Sequence, residues 1–237
     1  MHIFQGEVVH QPTQRVTHVT ARKLVGDDYF IISKLQQELV NDLSDKETFQ
    51  PLTEDELKYI LEGSGLIIGV FSENELIACR SLLYPGENYD NLGRDLDLSY
   101  EEQMKVVHQE LSLVHKNYRG NGLQQTLAKV IMQELKGSST YFTHLCCTVS
   151  PMNIPSLKDK FNQQMVIMDV KEKYEGYLRY IFYKHLNHDM TVDLNTYVYI
   201  SIDKPNRQKD FLASGYVGVG LNQTDEGTWV VFGKLIE

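Results

Sequence analysis

The spacing of apolar residues changes period repeatedly along this chain, and each change predicts a new element. Residues 1–14 are polar in outline and read as a lead-in. Arg15-Val16-Thr17-His18-Val19-Thr20-Ala21 alternates and is rich in β-branched residues, the pattern of a half-buried strand. Asp27-Asp28 stand where an N-cap belongs, and to about Leu43 the residues Phe30, Ile31, Leu35, Leu39 and Leu43 recur near helical spacing. Thr53-Glu54-Asp55-Glu56 is a capping box, in which Thr53 and Glu56 each satisfy a free backbone N–H of a second helix. That helix is expected to end at Glu62-Gly63, because glycine suits a left-handed terminus. The apolar runs Leu66 to Phe71 and Leu76 to Leu83, joined by Ser72-Glu73-Asn74-Glu75, predict a hairpin.

Tyr84 to Asp97 is a long Pro/Gly/Asn/Asp-rich loop, a length uncommon without function or mobility. Ser99-Tyr100-Glu101-Glu102 repeats the capping-box pattern ahead of a short helix. Val106 to Val114 is strand-like, and Leu123 to Lys136 carries Leu123, Leu127, Val130, Ile131, Met132 and Leu135 on an apolar helical face closed by Gly137. A strand from Tyr141 to Val149 and a helix from about Ile154 to Gln163 follow. A hairpin from Val166 to Leu186 then turns at Tyr174-Glu175-Gly176. Beyond about Asn187, Thr196 to Ile202 reads as a strand and Asn206 to Ala213 as a short helix. Tyr216 to Leu221 with Thr228 to Ile236 read as a closing hairpin.

Composition narrows the function classes. At 237 residues with a net charge of -9, the chain has a charge balance that argues against nucleic acid or anionic membrane as partners. The longest apolar run, Leu66-Ile67-Ile68-Gly69-Val70, falls far short of the roughly 18 residues a membrane span requires. Met1-His2-Ile3-Phe4-Gln5-Gly6 lacks the basic-then-apolar order of a secretory signal. Three cysteines, two of them the neighbours Cys146 and Cys147, offer neither a disulfide framework nor a metal spacing. The expectation is a reduced, soluble protein of the cytoplasm.

Chemistry concentrates between the strand 106–114 and the helix that follows. A glycine-containing strand-to-helix turn is a recipe for phosphate binding: the helix end offers unpaired N–H groups and partial positive charge, and glycine lets an anion approach. Arg119 adds a cation. No Gly-Lys-Ser/Thr is present, which excludes a triphosphate P-loop. Gln125 stands where the third glycine of a dinucleotide fingerprint is required.

Arg119-Gly120-Asn121-Gly122-Leu123-Gln124 resembles the Arg/Gln-x-x-Gly-x-Gly/Ala signature of the GNAT superfamily of acetyltransferases, with Gln124 departing from the final small residue. Val149-Ser150-Pro151-Met152-Asn153 resembles the family's second cofactor segment, and Tyr174-Glu175-Gly176-Tyr177-Leu178-Arg179-Tyr180 its closing hairpin. The resemblance spans roughly residues 15–186, and the domain it implies runs over 15–189. It implies an α/β (α+β) fold, a mixed, mostly antiparallel twisted sheet flanked by helices, with residues 190–237 as a strand-helix-hairpin extension packed on the main domain or on a partner subunit. It implies a sheet that splits between the strands 108–114 and 142–149 to admit acetyl-coenzyme A. Backbone amides of Arg119, Gly120, Asn121, Gly122, Leu123, Gln124 and Gln125 would take the pyrophosphate, with Leu113, Val114, Asn153 and Ser156 along the pantetheine. Asn153 before a helix is equally an ordinary N-cap.

Acetyl transfer to an amine requires a base, and His108 and Glu110 lie two apart on the predicted strand and so share a face. Glu110 matches the position of the family's carboxylate base, and its plain alternative is a solvated strand-end carboxylate. His108 is a relay or a packed histidine. The family's tyrosine slot, seven residues beyond the asparagine, holds Lys160. The expected function is N-acetyl transfer to a primary amine of a small molecule or peptide, by direct attack in a ternary complex. The alternative is a coenzyme A-binding sensor without catalysis. A homodimer is compatible with either. His185, His188 and Asp189 read as polar surface, with no metal site. The acidic cluster Glu87, Asp90, Asp95, Asp97, Glu101 and Glu102 reads as solvated surface.

Overall fold

A computed structural model describes residues 3–42, 49–138, 141–174 and 176–236. In chain order the elements are β1 (Phe4–His10), β2 (Arg15–Lys23), α1 (Tyr29–Asp42), α2 (Glu54–Tyr59), β3 (Gly65–Ser72), β4 (Glu75–Leu83), α3 (Tyr100–Gln103), β5 (Val106–Val114) and α4 (Leu123–Ser138). There follow β6 (His144–Val149), α5 (Ile154–Asn162), β7 (Val166–Lys173), β8 (Tyr177–His185), β9 (Val192–Ser201), α6 (Pro205–Ala213), β10 (Tyr216–Thr224) and β11 (Gly227–Leu235). The chain divides into two compact units, one holding β1 to β4, α1, α2, β5 from Val107 on and α4, the other residues 86–106 and the elements from β6 onward.

The first unit carries the strands in the order β1-β2-β3-β4-β5, each neighbour antiparallel. α1 and α4 both pack on β4, presenting the buried Ile32, Leu35 and Leu39 of α1 and Leu123, Leu127, Ile131 and Leu135 of α4. The β3–β4 turn is tighter than four polar residues suggest. Ser72 pairs with Glu75, leaving Glu73 and Asn74 as a two-residue turn, both at positive φ.

The second unit carries β6-β8-β7-β10-β11-β9, again antiparallel throughout. The tail joins this sheet where Gly218 of β10 pairs with Ile167 of β7. A Cβ on Gly218 would lie 2.9 Å from Ile167 Cβ, so the close approach itself requires glycine. The loop before α3 is braced by the buried Asn91, whose amide donates to Gly86 O and Gln103 O and accepts from Gly93 N. Leu92 packs with Val106 and Cys146 beneath it. No helix among the described residues is long and apolar enough to cross a membrane.

Several sequence expectations need correction. Residues 4–10, read as part of a lead-in, form β1, because β2 supplies hydrogen-bonding partners along its whole length. On α1 the buried face is Ile32, Leu35 and Leu39, while Phe30 is 79 % exposed. Asp28 serves less as a cap than as a clamp, binding Arg22 through both carboxylate oxygens at 2.7 Å and accepting from Val25 N. The Arg22 hydrogen bond holds its carboxyl below the ordinary range. Gly137 lies inside the last turn of α4, not beyond it. Asp95, read as solvated, is enclosed by Lys171 and Lys173. Leu43 and Glu175 lie outside the described residues.

Candidate active site

The strand β5 departs from regular pairing at the residues that matter. Ser112 pairs with Arg80 and Gln109 with Leu82, so two residues of β5, Glu110 and Leu111, face the single residue Ser81 of β4. This is a β-bulge, a device that re-aims side chains and frees backbone groups. The Ser81 hydroxyl accepts from the displaced Leu111 N–H at 3.0 Å, so the irregularity is stabilised from within the core. His108 and Glu110 do share a face: His108 Nδ1 donates to Glu110 Oε1 at 3.0 Å. A carboxylate can only accept, so this contact places a proton on Nδ1. The His108 side chain is 4 % exposed and that of Glu110 22 %, a buried imidazole behind an accessible carboxylate. Leu113 is buried and Val114 half-buried at the end of the strand.

Beyond β5, residues 116–118 make one 3-10 turn, with the His115 ring accepting from Asn117 N. Gly120 and Gly122 follow at φ +82° and +69°, left-handed conformations that favour glycine. Space around them is open: a Cβ on Gly122 would meet nothing within 4 Å, and one on Gly120 only Gln11 Nε2 at 3.6 Å. Gly122 accepts the first helical bond, from Thr126 N, which makes it the N-cap of α4. A glycine cap has no side chain to close the helix end, so the N–H groups of Leu123, Gln124 and Gln125 keep the partial positive charge of an uncapped terminus. Arg119 is exposed beside them. An anion fits this donor set.

Asn121, expected among the cofactor contacts, commits its side chain elsewhere. Its amide exchanges hydrogen bonds with both backbone groups of Val9, at 2.8 Å each, and donates to Tyr118 O. Gln11 adds a backbone bond to Asn117 O and a side-chain bond to Arg119 O. β1 and the turn after it therefore hold the loop as another sheet partner would, and the Asn121 side chain is committed to that brace.

In the second unit, Asn153 caps α5, accepting from Ser156 N at 3.1 Å. Lys160 is buried, its Nζ 3.3 Å from the buried Asp159 carboxylate. At the start of β6 the buried His144 lies 2.9 Å from the Tyr183 hydroxyl, and its ring meets that of His185 edge-on at 5.1 Å. The His185 ring in turn lies 4.6 Å from that of His188. Burial, then the neighbouring His185, lowers the His144 pKa, and burial pushes the Tyr183 hydroxyl up to about 12. Cys79, Cys146 and Cys147 are buried thiols, and burial drives Cys79 to about 12 and Cys146 well above the ordinary range. They are inert packing residues.

Sequence reasoning passed over Arg80, Ser81 and Gln109. Arg80 is wholly buried, donating to Gln109 Oε1 at 2.6 Å and to Gln124 O at 3.2 Å. A charged residue inside the apolar run Leu76 to Leu83 was the available signal, since arginine is almost never fully buried without a specific task.

No protein-family model matches this chain, and no curated protein does. Solved structures do. The acetyltransferase of the GNAT family from Streptococcus pneumoniae aligns with a TM-score of 0.53 at 13 % identity, over 71 % of this chain and 99 % of that one. The structure of yncA from Salmonella typhimurium with its cofactor acetyl-CoA aligns at 0.54 and 11 % identity, over 74 % and 98 %. NAA60 from Arabidopsis thaliana, in complex with a bisubstrate analogue, aligns at 0.53 and 16 % identity, over 71 % and 98 %. This chain shares the fold of these structures: mixed α/β, with mostly antiparallel strands flanked by helices.

Proposed function

We propose that this protein is an acetyl-coenzyme A-dependent N-acetyltransferase acting on a primary amine of a small molecule or peptide, with residues 15–189 as its catalytic domain and 190–237 as a structural extension. The observation that carries the reading is one continuous stretch, β5 to α4. A histidine–carboxylate pair sits on a bulged strand, and a glycine-capped helix end with open N–H groups comes directly after it. The backbone amides of residues 119–125 bind the pyrophosphate, with Arg119 as counter-charge. Leu113 and Val114, at the end of β5, are the proposed pantetheine contacts of the first unit, and Asn153 and Ser156 enter the proposal through the family resemblance alone.

Acetyl-coenzyme A supplies an activated acyl thioester. Glu110 takes the ammonium proton, directly or through water, and His108 holds the carboxylate in place and relays the proton. The amine nitrogen forms the amide bond as the carbon–sulfur bond breaks. The thiolate leaves unaided, which an ordinary thiol pKa near ~8.5 allows. The bisubstrate analogue bound by the Arabidopsis neighbour supports direct attack in a ternary complex.

Lys160 motivates a second reading. In the slot of the family's tyrosine stands a buried lysine paired with Asp159, as expected of a coenzyme A-binding sensor that has lost its acid. Calorimetric titration with acetyl-CoA, followed by thiol release against a panel of amines, separates the two. Binding with amine-dependent release establishes the enzyme, and binding without turnover on every amine favours the sensor. No binding refutes both.

A further inference from the structure

The wholly buried Arg80 has no part in the chemistry above, yet its contacts join both halves of the candidate site. From β4 its guanidinium reaches the Gln109 side chain, next to His108 and Glu110, and the Gln124 carbonyl in the first turn of α4. Its neighbour Ser81 holds the bulged Leu111 N–H. Ser81 thus fixes the irregular part of β5, while Arg80 reaches past it to the first turn of α4.

Burying a guanidinium is costly, and packing alone would be served as well by an apolar residue. The charge also stands next to the positive end of a helix, where a cation is unfavourable until an anion is bound. Arginine's planar fork suits the arrangement because it reaches two acceptors at fixed separation, which a lysine ammonium cannot reproduce.

Resting on the acetyltransferase reading, we infer that Arg80 is a positioning residue for the cofactor's pyrophosphate. It fixes the first turn of α4 relative to β5 and adds buried positive charge behind the open N–H groups. Its effect is specific to the phosphate-bearing part of the donor and bypasses the acyl-transfer step.

The test compares wild type, Arg80→Gln and Arg80→Lys with two donors: acetyl-CoA, and S-acetylpantetheine, which lacks the phosphates. Arg80→Gln is expected to raise the KM and the calorimetric Kd for acetyl-CoA about tenfold or more, a loss of ~1.4 kcal/mol per tenfold. Its kcat at saturation, and its kcat/KM with S-acetylpantetheine, should stay within about twofold of wild type. Arg80→Lys, keeping the charge without the fork, should fall between. Equal losses on both donors, or unchanged acetyl-CoA affinity in either folded variant, overturn the inference. Wild-type protein that does not bind acetyl-CoA refutes the acetyltransferase reading itself, a separate result. If Arg80→Gln does not fold, Arg80→Lys carries the comparison, and an unchanged KM for acetyl-CoA in it counts against the role.

Discussion

The chain makes the passage from strand to helix in two comparable places, β5 to α4 and β6 to α5, and builds them in opposite ways. Each strand carries a histidine near its start. His108 faces a carboxylate that is open to a reactant, whereas His144 is enclosed by a tyrosine and a second histidine. Each helix has a defined N-cap. Gly122 leaves the end of α4 open, with φ at +69°, whereas Asn153 closes the end of α5 with its own side chain. The same topology thus leaves helix-end donors open in one place and closes them with a side chain in the other.

The largest break in this contrast should come from Glu110→Gln. If Glu110 is the base, as proposed, its loss leaves His108 with a neutral partner and is expected to lower kcat by about 10²–10⁴. The Kd for acetyl-CoA should be unchanged, since neither side chain belongs to the pyrophosphate loop. Amine-dependent thiol release across pH reads this, and undiminished turnover would remove Glu110 from the mechanism.

Next in size is Gly122→Ala. The left-handed conformation costs an L-residue about 1–2 kcal/mol. No neighbouring atom lies within 4 Å to clash, so the free protein should still fold. The methyl group would intrude where the anion approaches, and the calorimetric Kd is expected to rise about tenfold or more. An unaltered Kd would show that this helix end is only a turn. Asn153→Ala provides the opposite arm: a loss of about 1 kcal/mol in folding stability, largely recovered by Asn153→Asp. If Asn153→Ala instead raised the acetyl-CoA Kd with no change in melting temperature, Asn153 would be a ligand contact before it is a cap.

Much of β5 to α4 was legible from sequence because its signals are local: alternation, two glycines, and a helix face within a few dozen residues. The parts that were not legible depend on register between distant segments. The bulge exists only in the pairing of β5 with β4, and a two-residue match to Ser81 cannot be read from Val106 to Val114 alone. The Asn121 brace spans 112 positions in sequence to Val9. β1 has too little apolar alternation to announce itself, with Gln5, Gly6 and Glu7 in its first half, and is a strand because β2 pairs with it. Arg80 was visible as an anomaly in an apolar run, but its two acceptors became known only once α4 lay on β4. In the second unit, Asn153 left two readings open because an asparagine before a helix serves as cap or ligand with the same spelling.

The smallest expected effect concerns the closed histidine. Burial and the adjacent His185 hold the His144 pKa below its ordinary value, while Glu102 pulls it up and Lys105 pushes it down. His185 is lowered in the same sense, by burial and then by His188. For a base whose folded pKa is depressed, the unfolded chain binds more protons as pH falls below the ordinary histidine value of about 6.5. The stabilisation is therefore complete above that value and is lost as pH falls through the lower, folded one. Melting temperature measured from pH 8 to pH 5 should decline on the acid side in the wild type. The decline should be shallower in His144→Phe, which keeps a ring at this position without a titrating group. Identical slopes in the two proteins would assign the acid sensitivity to other groups and leave His144 as packing alone.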